Sequence, residues 1–132
     1  MYTSEHLNVG KIYSRNELRA KFNISDATIK NGVFKPKSHE SIWLFVTEKK
    51  TPDRTQYVDH LDGDILVWDG QSVGRTDDWI INHEKNGHEL LLFYRISRYQ
   101  HKNSGFEYCG RFKYENSTGR GPRHFILKRN WL

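Results

Sequence analysis

The chain has 132 residues, a formal net charge of +5 and 14% aromatic residues. This length predicts one domain, spanning 1–132, with a hydrophobic core of its own. The single cysteine, Cys109, excludes an intramolecular disulfide and a cysteine-built zinc site. No apolar run is long enough to span a bilayer and no signal-like stretch follows Met1, so we expect a cytoplasmic protein without membrane contact.

The C-terminal third of the chain is strongly basic. Residues 90–132 hold nine Lys or Arg and two acids, whereas the remaining residues are close to neutral. A basic region on an otherwise balanced domain is the charge pattern expected of a protein that binds a polyanion such as nucleic acid. An ordinary solvated basic surface is the alternative interpretation.

Two short helical pieces are predicted near the N-terminus. The first spans Arg15–Phe22, because Ser14 and Glu17 have the spacing of a capping box. The second spans Ser25–Ile29, and Gly32 follows where a left-handed helix stop is expected.

The rest of the chain favours strands. Three apolar runs rich in β-forming residues each predict a strand buried on both faces: Ile42–Thr47, Ile65–Trp68 and Leu90–Tyr94. A shorter last strand is expected at about Phe125–Leu127. The segment Asp77–Glu84 is expected to be a short helix, with a strand as the alternative.

The segment 106–114 alternates between apolar and polar residues. Such alternation predicts a strand with one face on the core and one face in solvent. The core face would carry every second residue, namely Phe106, Tyr108, Phe112 and Tyr114, and the outward face would carry Arg111 and Lys113. Runs of strands after short helices predict an α+β fold, with a mostly antiparallel curled sheet or a β-barrel and short N-terminal helices.

Sequence signals for catalysis are weak. The chain has no phosphate-binding or dinucleotide-binding glycine motif, no nucleophile elbow, and no histidine pair with the spacing of a helical zinc site. The acids Asp59, Asp62 and Asp64 favour a solvated turn over a metal site. We therefore expect no catalytic residues, no metal and no cofactor.

One group of residues has the chemistry to hold a nucleobase. Aromatic planes can sandwich a base, a carboxylate can accept from an exocyclic amine, and an amide can pair with a base edge. The candidates surround the ends of two predicted strands: Tyr57, Asp59, Trp68, Asp69 and Gln71. The alternative is that the aromatic residues belong to the core and Asp59 caps a turn. Cations expected to hold the phosphate backbone are Arg75, Arg95, Arg111, Lys113, Arg120 and Arg123.

The order of several short motifs resembles a known family. These motifs are Tyr57–Asp59, Asp64–Gln71, Ile80–His83, Leu92–Arg95 and Phe106–Gly110. Over about residues 9–131, the chain resembles a domain of unknown function appended to helicase-like restriction proteins and to HNH-type, McrA-like endonucleases. The resemblance implies a PUA-like barrel near the SRA domains that flip modified cytosines. Gly70 stands where a serine is more often expected, which suits a tight turn at the pocket rim.

Together these features predict a single PUA/SRA-like domain that reads double-stranded DNA. It would recognise 5-methyl- or 5-hydroxymethylcytosine by base flipping, as the specificity domain of a modification-dependent restriction system. The chain has no HNH motif, so a nuclease or helicase would be a fused or separate partner. The alternatives are a reader of phosphorothioate DNA or RNA, a small metal-dependent nuclease, and a protein-interaction module.

Overall fold

The structure is a computed structural model that describes residues 1–49 and 59–131. Within these ranges the α-helices and strands are β1 Ile12–Tyr13, α1 Arg15–Phe22, β2 Val33–Phe34, β3 Ser41–Lys49, β4 His60–Asp62, β5 Ile65–Asp69, α2 Asp77–Ile81, β6 Glu89–Ser97, β7 Phe106–Thr118 and β8 His124–Arg129. Short 3-10 turns occur at Thr3–His6, Ala27–Lys30 and Lys102–Ser104. No helix in this described part of the chain has the length and apolar character needed to cross a membrane.

All the described strands belong to one sheet. Its order is β2-β3-β6-β7-β8-β5-β4, and β1 adds to β7. The β3–β6 pair is parallel, and the other pairs are antiparallel. The prediction of an α+β fold with a mostly antiparallel sheet is therefore confirmed.

The sheet packs apolar side chains on both faces. The inner cluster joins Val33 of β2 with Leu66 of β5, although these strands lie near opposite ends of the strand order. A single cluster that includes residues from near both ends of the strand order requires the sheet to curl around it. The outer cluster includes Trp43 of β3 and Leu18 of α1, so the helix covers the outer face of the sheet.

The curled sheet leaves a gap between its two ends, with β2 and β3 on one side and β4 on the other, which we call the seam. The two ends of the strand order are β2 and β4, and in the described part of the chain neither pairs with the other. Side chains bridge one end of the seam, where Glu48 Oε1 of β3 lies 2.6 Å from His60 Nδ1 of β4. The hydroxyl of Tyr94 donates a 2.5 Å hydrogen bond to the same Glu48 oxygen.

The first helix follows its prediction, whereas the expected stop at Gly32 is wrong. Ser14 and Glu17 form both hydrogen bonds of the capping box, each 3.0 Å long. The second helical piece is a 3-10 turn at Ala27–Lys30. Gly32, the predicted stop of this second piece, does not have a left-handed backbone, and the turn ends at Asn31 in an extended conformation. The left-handed cap belongs to α1, which ends at Asn23 with φ of 54°.

Strand β5 is buried on one face only, so its predicted burial on both faces is wrong. Leu66 and Trp68 are 0% and 4% exposed, whereas Ile65 and Val67 are 36% and 37% exposed. The strand lies near one end of the sheet, and the apolar residues that contact it belong to the inner cluster. The side chains of β5 are therefore alternately buried and exposed.

The four aromatic residues of β7 that were predicted to share one face of the sheet lie on two different faces. Phe106 and Tyr108 pack in the outer cluster, whereas Phe112 and Tyr114 pack on the inner one. The pairing with β6 shifts at Cys109, because Leu92 is opposite Gly110 while Phe93 is opposite Tyr108. A bulge of one residue moves all later side chains to the other face.

The predicted helix after β5 forms but is shorter than expected. It spans Asp77–Ile81 rather than Asp77–Glu84, and the side chain of Thr76 at its N-cap makes no capping hydrogen bond. Turns connect its end to Gly87. The helix positions Asp77 against the residues that follow β5, and this contact shapes the site described next.

Candidate binding pocket

A cavity of about 310 Å³ opens at the seam, and we call it the seam pocket. This volume is at the lower end of the range for small-molecule sites, roughly 300 to 1,000 Å³. It therefore suits one small group rather than a large ligand. The lining residues come from both sides of the seam: Gly32, Val33, Phe45, Thr47, Asp59, Trp68, Asp69, Gly70 and Gln71.

The seam pocket brings together the predicted base-binding residues that the structure describes. Asp59, Trp68, Asp69 and Gln71 all line it. Tyr57 lies outside the described residues. Asp59 comes just before β4, whereas the other three end or follow β5, so the fold joins two segments at one cavity.

Trp68 serves both the core and the pocket wall. It is 4% exposed, and its ring stacks on Phe125 with centroids 5.4 Å apart and planes 27° apart. One face of the indole is therefore already covered by another aromatic ring. The two interpretations of Trp68, core residue and pocket residue, both hold for its position.

Phe45 is a second aromatic residue of the pocket that the sequence did not single out. It stacks on Phe93 with ring centroids 5.0 Å apart, and the guanidinium carbon of Arg15 lies 4.4 Å from its centroid. Phe45 belongs to a continuous apolar run, so its sequence context gives no sign of a binding role. Only the curl of the sheet, which brings β3 near the end of β5, identifies it.

The polar groups of the pocket are held by specific hydrogen bonds. Asp59 is 3% exposed, and its Oδ1 accepts a 3.0 Å hydrogen bond from the backbone N–H of Asp69. Asp69 Oδ1 lies 2.6 Å from Nδ1 of His124 on β8. Among the described contacts, the side-chain amide of Gln71 makes no hydrogen bond, and the residue is half-buried. Gln71 thus offers both a donor and an acceptor to a ligand.

Gly70 is required by close packing rather than by a tight turn. The sequence suggests a turn, but the backbone of Gly70 is not in the left-handed region. A β-carbon at this position would lie 2.9 Å from the Phe125 ring and 3.0 Å from Asp77 Oδ1. The missing side chain therefore lets the pocket segment lie directly on the core ring and on α2.

Three of the predicted phosphate-binding cations lie on the loops beside Gly70. The backbone N–H of Gly70 donates to the carbonyl of Arg123 at 2.9 Å, so the loop before β8 adjoins the pocket. Arg123 also lies 3.5 Å from the carboxylate of Asp77. Arg120 belongs to the same loop, and Arg75 to the loop that follows Gln71; both are exposed.

Arg95 contacts Thr47 of the pocket lining from a buried position. Its Nε donates to Thr47 Oγ1 at 2.8 Å, and its Nη1 donates to the Ser104 carbonyl at 2.7 Å. Burial, followed by the charge of Arg98, lowers the pKa of Arg95. Arg95 is therefore a largely buried group fixed behind the pocket lining, and its Nη2 makes no hydrogen bond among the described contacts.

Arg111 and Lys113 lie away from the seam pocket. Arg111 lines a separate cavity of about 400 Å³ between the N-terminal segment and the end of the chain, where Trp131 also lies. That cavity shares no lining residue with the seam pocket. Lys113 is in register with Lys128 on β8. The six predicted cations thus do not form one continuous group.

The three aspartates considered for a nuclease are also separated. Asp59 precedes β4, whereas Asp62 and Asp64 flank the turn at the other end of the β4–β5 hairpin. Asp64 forms an ion pair with Arg129, with Nε and Oδ1 3.1 Å apart. Among the described residues, no group of three or more His, Cys, Asp or Glu side chains is placed to hold a metal ion.

Comparison with protein-family models finds no match for this chain. Comparison with curated protein sequences finds no match either. The family resemblance drawn from the short motifs therefore stays a prediction.

Proposed function

We propose that the chain is a cytoplasmic DNA-binding domain that recognises a modified base by everting it into the seam pocket. The base would be 5-methyl- or 5-hydroxymethylcytosine, and the domain would supply specificity to a modification-dependent restriction system. A fused or separate HNH nuclease or helicase would carry out the cleavage or remodelling. The observation that supports this most is that one cavity at the seam has apolar walls, two carboxylates and the amide of Gln71. Among the described contacts, that amide makes no hydrogen bond.

The polar groups of the pocket suit the edge of a cytosine. A carboxylate can accept a hydrogen bond from the exocyclic amine, and the Gln71 amide can pair with the neighbouring ring positions. Asp59 and Asp69 are oriented by the contacts described above. The rings of Phe45 and Trp68 supply apolar surface for the base and for a methyl group at its 5-position.

The energy of base flipping must come from several sources. Unstacking and unpairing a base costs a few kcal/mol, and stacking on an aromatic side chain returns about 1–3 kcal/mol. Hydrogen bonds in the pocket and phosphate contacts must supply the remainder. The arginines on the loops beside Gly70, Arg75 and Arg120, are exposed and can reach a backbone near the pocket mouth.

The direct test is an equilibrium titration with matched duplexes that differ only at the 5-position of one cytosine. We expect tighter binding to the methylated or hydroxymethylated duplex. A fluorescent base analogue beside the target should brighten if the neighbouring base leaves the stack. Equal affinity for all the duplexes, or tighter binding to structured RNA or to a phosphorothioate duplex, would contradict the proposal.

Gln71→Ala tests the pocket without disturbing the core. We expect the variant to keep its general DNA affinity and to lose about tenfold in preference for the modified duplex, since only an everted base contacts the amide and a bidentate base contact is worth about 1–3 kcal/mol. Asn86→Ala is the matched control, because it removes an exposed amide in the turn after α2, which does not line the seam pocket. An unchanged preference in a folded Gln71 variant would count against recognition in this pocket.

A further inference from the structure

Two guanidinium groups lie against one aromatic ring beside the seam pocket. The guanidinium carbons of Arg15 and Arg95 are 5.0 Å and 3.9 Å from the centroid of Phe106. Arg15 comes from α1 and Arg95 from β6, so the fold brings them together from distant parts of the chain. Each also touches a residue of the pocket lining: Arg15 lies on the ring of Phe45, and Arg95 donates to Thr47.

These two cations have no acidic partner among the described residues. The ion pairs in that part of the chain include neither arginine. Burial, followed by the charge of Arg95, lowers the pKa of Arg15 to about 10. Burial, followed by the positive charge of Arg98, likewise lowers the pKa of Arg95. Partly buried like charges are unfavourable in the absence of an anion.

The contacts that fix these side chains leave donors available. Arg15 donates its Nε to the carbonyl of Ile29 at 2.9 Å. Arg95 uses Nε and Nη1 for Thr47 and Ser104. In the described contacts, both Nη groups of Arg15 and the Nη2 group of Arg95 make no hydrogen bond. A fixed guanidinium with free terminal N–H groups suits the paired oxygens of a phosphate.

We propose that Arg15 and Arg95 form a phosphate-binding site next to the seam pocket. Its ligand is a backbone phosphodiester of the DNA strand whose base enters the pocket. The identity of this ligand rests on the proposed function, whereas the anion site itself does not. Phe106 and Phe45 hold the two guanidinium groups beside the pocket wall, so a bound phosphate would fix the strand relative to the everted base.

The first test uses inorganic phosphate as the probe and does not depend on any base. The Nε–Hε signals of the arginine side chains of the whole chain are followed by NMR as phosphate is added at constant ionic strength, with chloride as the reference anion. We expect saturable shifts for Arg15 and Arg95 and none for Arg19 on the same helix. The absence of a saturable shift at Arg15 and Arg95 would overturn the site.

The second test compares two variants of α1. Arg15→Gln should weaken binding to modified and plain duplexes alike by about tenfold or more, since a hydrogen bond to a charged group is lost and a phosphate carries no base information. Arg19→Gln is the matched control and should change affinity by less than about twofold, because Arg19 lies on the same helix and is also partly buried but makes no described contact with Phe45 or Phe106. Equal affinity of the Arg15 variant and the wild type would overturn the site.

The two tests separate this site from the base pocket. Phosphate-induced shifts without any preference for modified DNA would support the phosphate site and contradict the proposed function. A clear preference for modified DNA without any phosphate-induced shift would support the proposed function and contradict the phosphate site. If Arg15→Gln does not fold, Arg15→Lys replaces it, because lysine keeps the positive charge but lacks the paired N–H donors of the guanidinium. We expect Arg15→Lys to show an intermediate loss of DNA affinity. Wild-type affinity in that variant would contradict a bidentate contact between Arg15 and a phosphate.

Discussion

Glu48 and His60 face each other across the seam, with Glu48 Oε1 2.6 Å from His60 Nδ1. Tyr94 donates to the same carboxylate oxygen, and its own hydroxyl accepts from the backbone N–H of Leu61 at 3.4 Å. These contacts join β3, β4 and β6 where no strand pairing joins β3 to β4 in the described residues. Because Thr47 of the pocket lining precedes Glu48, the contacts also fix the width of the seam near the pocket.

The contacts of Glu48 predict a loss of stability in acid. Burial raises its pKa, but the hydrogen bonds from Tyr94 and His60 outweigh that effect, so the pKa of Glu48 lies below its ordinary value. A carboxyl with a lowered folded-state pKa stabilises the fold above its unfolded pKa, and this contribution disappears as the pH falls through the folded value. We expect Glu48→Gln to reduce the free energy of unfolding at neutral pH and to approach the wild type in the acid range below the ordinary glutamate pKa.

Urea unfolding at a series of pH values measures this effect. Glu115→Gln is the control, because Glu115 is exposed on β7. A difference between Glu48→Gln and the wild type that does not change with pH would contradict the assigned role of the carboxylate.

Gly70 provides a prediction about how closely the pocket segment packs on the core. Gly70→Ala would place a β-carbon within 3.0 Å of the Phe125 ring, which is fully buried and cannot move away freely. We expect a loss of about 1–3 kcal/mol in the free energy of unfolding, as for other overpacked cores. Gly32→Ala is the control, since it adds a methyl group to the same pocket with no atom nearer than 3.8 Å. Equal stabilities of the two variants in urea unfolding would show that the close contact is not limiting.

Local signals in the sequence predicted the elements that depend on local chemistry. The capping box at Ser14 and Glu17 gave the bounds of α1. The apolar runs gave the central strands β3 and β6, because continuous burial requires continuous apolar sequence. The cluster of Asp59, Trp68, Asp69 and Gln71 also formed, since each of them flanks a strand end.

Features that depend on long-range packing could not be predicted in this way. The bulge at Cys109 changes the face of the β7 side chains that follow it as far as Tyr114, where the pairing with β8 shifts again, yet the alternation of residue types continues through Cys109 unchanged. The role of Phe45 depends on the curl of the sheet. The cations illustrate the same limit: Arg95 and Arg111 both belong to the basic third, but one adjoins the seam pocket and the other a separate cavity.

The double role of Trp68 predicts that its removal affects folding before it affects recognition. Trp68→Ala deletes a ring that is stacked on Phe125 inside the inner cluster. We expect a loss of about 3–5 kcal/mol in the free energy of unfolding, measured in urea. Trp131→Ala should cost little, because Trp131 is 76% exposed. A Trp68→Ala variant as stable as the wild type would show that the indole is not part of the core.

The positions of the arginines predict which of them contribute to the salt dependence of DNA binding. Each phosphate contact adds about 0.9 to the slope of log affinity against log salt concentration for duplex DNA. Arg75 is exposed on the loop that follows Gln71, whereas Arg111 lines the separate cavity near Trp131. We expect Arg75→Ala to lower the magnitude of the slope by about one and to leave the preference for modified DNA unchanged. Arg111→Ala should leave the slope as it is. Titrations of one modified duplex at several salt concentrations measure both slopes. A larger change for Arg111→Ala than for Arg75→Ala would mean that DNA binds along the other cavity and that the seam pocket is not its entry point.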